Sequence, residues 1–90
     1  MISVTVHLLG FDVKEASRKT FVREISEGTT VSELWNELKN SRDLGPFMSK
    51  REKKQIIVLL NDVAHSQNEL WNRILESGSE VKFMVLAFGG

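Results

Sequence analysis

The apolar residues of this 90-residue chain change their period twice. Ile2, Val4, Val6 and Leu8 recur at every second position, the pattern of a strand with one buried face. Val31, Leu34, Trp35 and Leu38 then follow at i, i+3, i+4 and i+7, which places them on one stripe of a helix. Val81, Phe83 and Val85 return to the period of two, with Lys82 and Met84 on the other face. Early and late strands with a helix between them predict a compact α+β roll, in which the helix crosses one face of the sheet.

The segments between these anchors fill in the order. Residues 10–19 are mostly polar and read as a loop. Thr20–Ile25 reads as a second strand with Phe21 and Ile25 on one face, paired antiparallel with the first. Thr30 and Glu33 form a capping box at the helix start. On the apolar stripe, Trp35 belongs to the core rather than to a ligand. Leu44, Phe47 and Met48 are expected to fold back as a lid. Ile56–Leu60 is apolar, β-branched and too short for a helix, so it fits a central strand buried on both faces. Asn61-Asp62 suits a turn. A second capping box, Ser66 to Glu69, opens a short helix edged by Leu70, Trp71, Ile74 and Leu75, and Gly78 suits the left-handed residue that stops it. No repeat or linker divides the chain, so residues 1–85 read as one domain and 86–90 as a tail.

Composition removes several function classes. Twelve basic residues balance twelve acidic ones, which argues against a general nucleic-acid binder. The local excess Lys50-Arg51-Glu52-Lys53-Lys54 reads as a solvated loop, with a docking patch for an acidic partner as the alternative. No apolar run is long enough to span a membrane, and the start lacks a signal-peptide pattern, so the cytoplasm is the expected compartment. Without cysteine there is no disulfide, thiolate nucleophile or cysteine metal site. His7 and His65 sit on different elements without ligand spacing, so no metal site is expected. His7 reads as a surface residue and His65 as loop polarity. Asp12, Asp43 and Asp62 fall in loops or turns and form no acid–base constellation.

The sequence closes on Phe88-Gly89-Gly90. Two glycines pack nothing into a core, but they make a thread slender enough for a slot that any Cβ would block. Three to five extended residues reach about 10–17 Å beyond a sheet, enough to enter a neighbour's active site. Phe88 has two readings: it plugs the mouth of such a channel, or it packs on its own sheet.

Three stretches carry a family resemblance: Ser26-Glu27-Gly28-Thr29-Thr30-Val31-Ser32-Glu33-Leu34, Val58-Leu59-Leu60-Asn61, and Gly78-Ser79-Glu80-Val81 with the strand leading to Gly89-Gly90. In this order they resemble the ubiquitin-like β-grasp superfamily, and within it the MoaD/ThiS-type sulfur carriers. The resemblance implies an α+β β-grasp roll: a mixed sheet of four to five strands, one main helix and a short second helix. It implies a non-catalytic carrier with no bound cofactor. The Gly90 carboxylate would be adenylated by an activating enzyme of the ubiquitin-activating type, which uses ATP, and then converted to a thiocarboxylate. The sulfur would pass to an accepting enzyme such as a molybdopterin synthase large subunit, in molybdenum or tungsten cofactor biosynthesis. Gly89 and Gly90 would be the working residues, and Leu86, Ala87, Phe88, Met84, His7 and Ala64 the partner-binding ones. Two departures stand out: Val85-Leu86-Ala87-Phe88 replaces the prolines and small residues common before the diglycine, and the stretch from Asn61 to Gly78 looks longer and more helical. The alternatives are a protein modifier joined to lysines through Gly90, a carrier for thiamine, tRNA or amino-acid sulfur, and a plain interaction domain.

Overall fold

The computed structural model describes residues 1–10, 18–48, 55–64 and 66–85. The elements run β1 (Ile2–Leu9), β2 (Arg18–Ile25), α1 (Val31–Lys39), α2 (Gly45–Met48), β3 (Ile56–Leu60), α3 (Gln67–Trp71) and β4 (Glu80–Val85). The four strands form one mixed sheet in the order β2-β1-β4-β3. β1 and β2 are antiparallel with Ile2 opposite Ile25 and Leu9 opposite Arg18, so β2 begins two residues earlier than its apolar pattern suggests. β4 lies parallel to β1 and antiparallel to β3.

One face of this sheet is the core. Val4, Val6, Leu8, Ile25, Ile56, Val58, Val81 and Phe83 point from the strands into it, and α1 lays Val31, Leu34, Trp35 and Leu38 across them. Phe83 packs against Trp35 and Trp71, with ring centroids at 5.2 and 5.9 Å, and the two tryptophans meet edge to face at 5.8 Å. Offset and edge-on contacts of this kind suit the ring quadrupoles. The α1 capping box is present: the Glu33 amide donates to Thr30 Oγ1 at 3.2 Å, and the Thr30 amide donates to Glu33 Oε1 at 3.0 Å. Leu44 and Met48 are buried as the lid predicts; the Phe47 side chain lies outside the described residues.

Three expectations need correction. First, Ile56–Leu60 is an edge strand, not a central one. Ile56, Val58 and Leu60 are buried, whereas Ile57 and Leu59 are only half-buried. An unbroken apolar run cannot distinguish a strand covered on both faces from one whose second face is a surface. Second, Ser66 makes no side-chain cap, because the next residue takes over the anchoring. The Val58 amide donates to Gln67 Oε1 at 2.8 Å and Gln67 Nε2 donates to the Val58 carbonyl at 3.2 Å. The Gln67 amide thus imitates a neighbouring strand and closes the edge of β3.

Third, α3 stops at Trp71, well before Gly78. Residues 73–75 run extended beside the entry to α1: the Val31 amide donates to the Arg73 carbonyl at 3.0 Å and the Leu75 amide to the Thr29 carbonyl at 2.9 Å. Leu75 is buried there, but Ile74 points outward. Gly78 (φ +85°) instead turns the chain into β4, and its amide donates to the Ser3 carbonyl at 2.8 Å. The predicted turn at Asn61-Asp62 is present, with φ of 51° and 64°.

Candidate functional site: the outer sheet face

Strand alternation that turns Val81, Phe83 and the half-buried Val85 toward the core sends Glu80, Lys82 and Met84 to the opposite face. Pairing then dictates their neighbours. Met84 stands between Leu9 of β1 and Ile57 of β3, and one step back Lys82 stands between His7 and Leu59. The outer face therefore has an apolar end and a polar end. Leu9, Met84, Ile57 and Leu59 form the apolar end, all half-buried except Met84, which is 36% exposed. This end adjoins Val85, the last described residue of β4.

The polar end is a hydrogen-bonded network. His7 Nε2 lies 3.0 Å from Glu80 Oε1, and His7 Nδ1 lies 3.0 Å from Thr20 Oγ1. A carboxylate only accepts, so in the neutral ring Nε2–H donates to Glu80 and Nδ1 accepts the Thr20 hydroxyl. One imidazole thus ties β2, β1 and β4 together. Lys82 forms an ion pair with Asp62 in the turn after β3. The Glu80 amide donates to Asn61 Oδ1 at 2.9 Å, and the Asn61 amide donates to the Glu80 carbonyl at 2.8 Å, which holds that turn against β4.

These placements sort the expected contact residues. Met84 lies on the apolar end, as its parity predicts. His7 does not act as a surface residue: it is 8% exposed and both ring nitrogens are engaged. The sequence shows its parity but not the partners that enclose it. Ala64 is exposed, but it follows the bridge between Leu60 and Val63. Leu60 is three residues along β3 from Ile57, the partner of Met84, or roughly 10 Å at strand rise. Ala64 therefore follows the Leu60 end of β3, away from the end at which Met84 pairs. Leu86, Ala87, Phe88, Gly89 and Gly90, the basic run Lys50–Lys54, and His65 lie outside the described residues.

Leu9, Ile57 and Leu59 belong to the surface that Met84 marks, and the sequence reading missed them. Their signal was present: Ile57 and Leu59 are the odd members of a run whose even members fill the core. Among the described residues, no three His, Asp or Glu side chains are placed to hold a metal ion, and no helix is long and apolar enough to cross a membrane.

No protein-family model matches the chain, and no curated protein sequence matches it. Solved structures do. A Pyrococcus furiosus structure, provisionally named molybdopterin converting factor, subunit 1, is 19% identical with a TM-score of 0.67; the match covers 94% of this chain and 98% of the other. The solution structure of the Haloferax volcanii HVO 2177 protein is 15% identical with a TM-score of 0.73, covering 99% and 87%. A complex of subunits 1 and 2 of molybdopterin-converting factor from Helicobacter pylori gives 20% identity and a TM-score of 0.60, covering 99% and 100%. At these identities the likeness is one of architecture: this chain has the ubiquitin-like β-grasp fold, a mixed four-stranded sheet over one main helix, that these structures share.

Proposed function

We propose that this chain is a sulfur carrier that acts as the small subunit of a molybdopterin-forming complex and is not itself an enzyme. The observation that carries the reading is the likeness along almost its whole length to structures named as molybdopterin converting factor subunit 1, one of them determined together with subunit 2. The apolar end of the outer face supports it, because β4 leads from that patch toward Gly89-Gly90.

In this reading the partners are an adenylating enzyme of the ubiquitin-activating type and a sulfur-accepting large subunit. A carboxylate resists nucleophiles, because its charge and resonance both oppose attack. Attack of the Gly90 carboxylate on the α-phosphate of ATP releases pyrophosphate and leaves an acyl adenylate. Hydrosulfide then attacks the acyl carbon, AMP departs with the anhydride electrons, and Gly90 carries a thiocarboxylate. Tethering that sulfur gives it a high effective concentration at the accepting site. Gly89 and Gly90 pass the narrowest part of the channel. Leu86, Ala87 and Phe88 line its mouth, and Met84 with Leu9 and Ile57 seats the domain outside it.

Mass spectrometry of the protein isolated from its native host tests this. A carrier shows one sulfur in place of one oxygen on Gly90. A Gly-Gly remnant on the lysines of other proteins, with no sulfur on the free chain, would establish the modifier instead. Gly90→Ala is expected to fold normally and to form no adenylate with the host's activating enzyme; normal adenylation of that variant refutes the role of Gly90.

A further inference from the structure

The two edges of the sheet are finished differently. The β3 edge is five residues long, and Gln67 bonds both polar backbone groups of Val58 there. The β2 edge is eight residues long. Among the described residues, nothing beyond β1 hydrogen-bonds the backbone of Thr20–Glu24. At its middle Val22 is 66% exposed on the outer face. Beside the edge runs a groove lined by Lys19, Phe21, Arg23, Asp43 and Leu44. An open edge with unpaired N–H and C=O groups is a template for another strand.

We propose that this edge pairs with the β2 edge of a second copy of the chain, antiparallel, about a two-fold axis at Val22. Among the registers that pair more than five residues of β2, its sequence selects that one. A two-fold pairing that keeps both cores on one side sets residues of equal parity opposite each other. Centred on Phe21, it would oppose Lys19 and Arg23 twice; centred on Arg23, it would oppose the two arginines. Centred on Val22, it sets Val22 against Val22, Thr20 against Glu24, Phe21 against Arg23 and Lys19 against Ile25, with no like charges opposed. Arg23 of the second copy then lies over the Phe21 ring, within reach of Asp43, the one carboxylate in a groove that the chain's own Lys19 and Arg23 also line. Inward cations such as Lys19 and Arg23 ordinarily discourage edge pairing, but here each meets an apolar or aromatic residue. The result is one eight-stranded sheet. β4 and its apolar patch stay free in both copies, and the inference is independent of the proposed function.

Because the chain has no cysteine, single-cysteine variants report this contact cleanly. Residues opposed in antiparallel strands have Cα atoms about 4.5–5.5 Å apart, within the reach of a disulfide. Val22→Cys is expected to oxidise to a covalent dimer much faster than Ile74→Cys, a comparably exposed site (57%) away from the edge. In sedimentation equilibrium the unmodified chain is expected to show a concentration-dependent monomer–dimer balance. Val22→Lys should shift it to monomer with unchanged thermal stability. Asp43→Lys should weaken it, and combining Asp43→Lys with Arg23→Asp should restore it. A chain that stays monomeric at millimolar concentration, or equal oxidation rates for the two cysteine variants, overturns the proposal.

Discussion

Replacing Gln67 with alanine isolates the device that closes the β3 edge. Val58 is buried on the core side, and its N–H and C=O face away from β4 toward Gln67. Each neutral hydrogen bond contributes about 0.5–1.5 kcal/mol net, so the two together are worth about 1–3 kcal/mol. The upper end requires both groups to stay dry after the side chain is removed. Gln67 is itself only half-buried, so its loss admits water, which returns part of the cost. About 1–1.5 kcal/mol is therefore expected, a fall in Tm of about 5–10 °C for a domain of this size. Denaturant unfolding gives the free energy, and hydrogen exchange at the Val58 amide gives the mechanism. In Gln67→Ala that amide should lose protection. In Gln67→Glu it should keep protection, because a carboxylate still accepts from it, while the stability contributed by the lost Nε2 donor disappears. A Gln67→Ala variant with stability unchanged within about 0.3 kcal/mol, the scatter between independent sites, and with Val58 still protected would refute the edge-closing role.

Thr30→Ala should cost about 1 kcal/mol by chemical denaturation, because it leaves the Glu33 amide without its cap and removes the bond from the Thr30 hydroxyl to Glu33 Oε1, while the backbone half of the box stays. Adjacent residues on β4 should behave oppositely. Phe83→Ala, in the aromatic cluster, should cost about 3–5 kcal/mol. Met84→Glu, on the outer face, should change stability by no more than about 0.5 kcal/mol, yet abolish adenylation by the host's activating enzyme.

Local signals were legible wherever the chain settles its own geometry. The capping box, the α1 stripe and the parity of β1 and β4 each depend on residues close in sequence, and each appears as the pattern requires. Three of the errors share a cause, which is dependence on a distant partner. Ser66 three residues before Glu69 has the form of a capping box, but Gln67 bonds Val58, nine positions away, and fixes the start of α3 instead. Gly78 fits a helix stop, but its amide goes to Ser3 across the fold, so it serves the entry to β4. His7 has the parity of a surface residue; Glu80 lies 73 positions away along the chain and encloses it. The Ile56–Leu60 run fails differently. Burial on two faces and burial on one face beside an apolar outer surface have the same sequence signature, so the candidate site was concealed inside a correct strand assignment.

That concealment bears on how a domain this small can hold a partner. The apolar end of the outer face comprises Leu9, Met84, Ile57 and Leu59, with only Met84 reaching the exposed class. A stable interface buries about 800 Å² on each partner, more than four largely half-buried side chains can supply. In the proposed reading, the remaining contact comes from residues 86–90 extended into a channel, where backbone and side chains are covered on every side. The patch and the tail then have separable tasks: the patch selects and orients the partner, and the tail supplies most of the buried area and the reacting atom. The polar network at the other end of the same face holds the strands that carry the patch, because His7 joins three strands while Asn61 and Asp62 pin the adjacent turn to β4. Under the proposed function, a carrier that serves two enzymes in turn benefits from that division, because a small preformed patch releases readily.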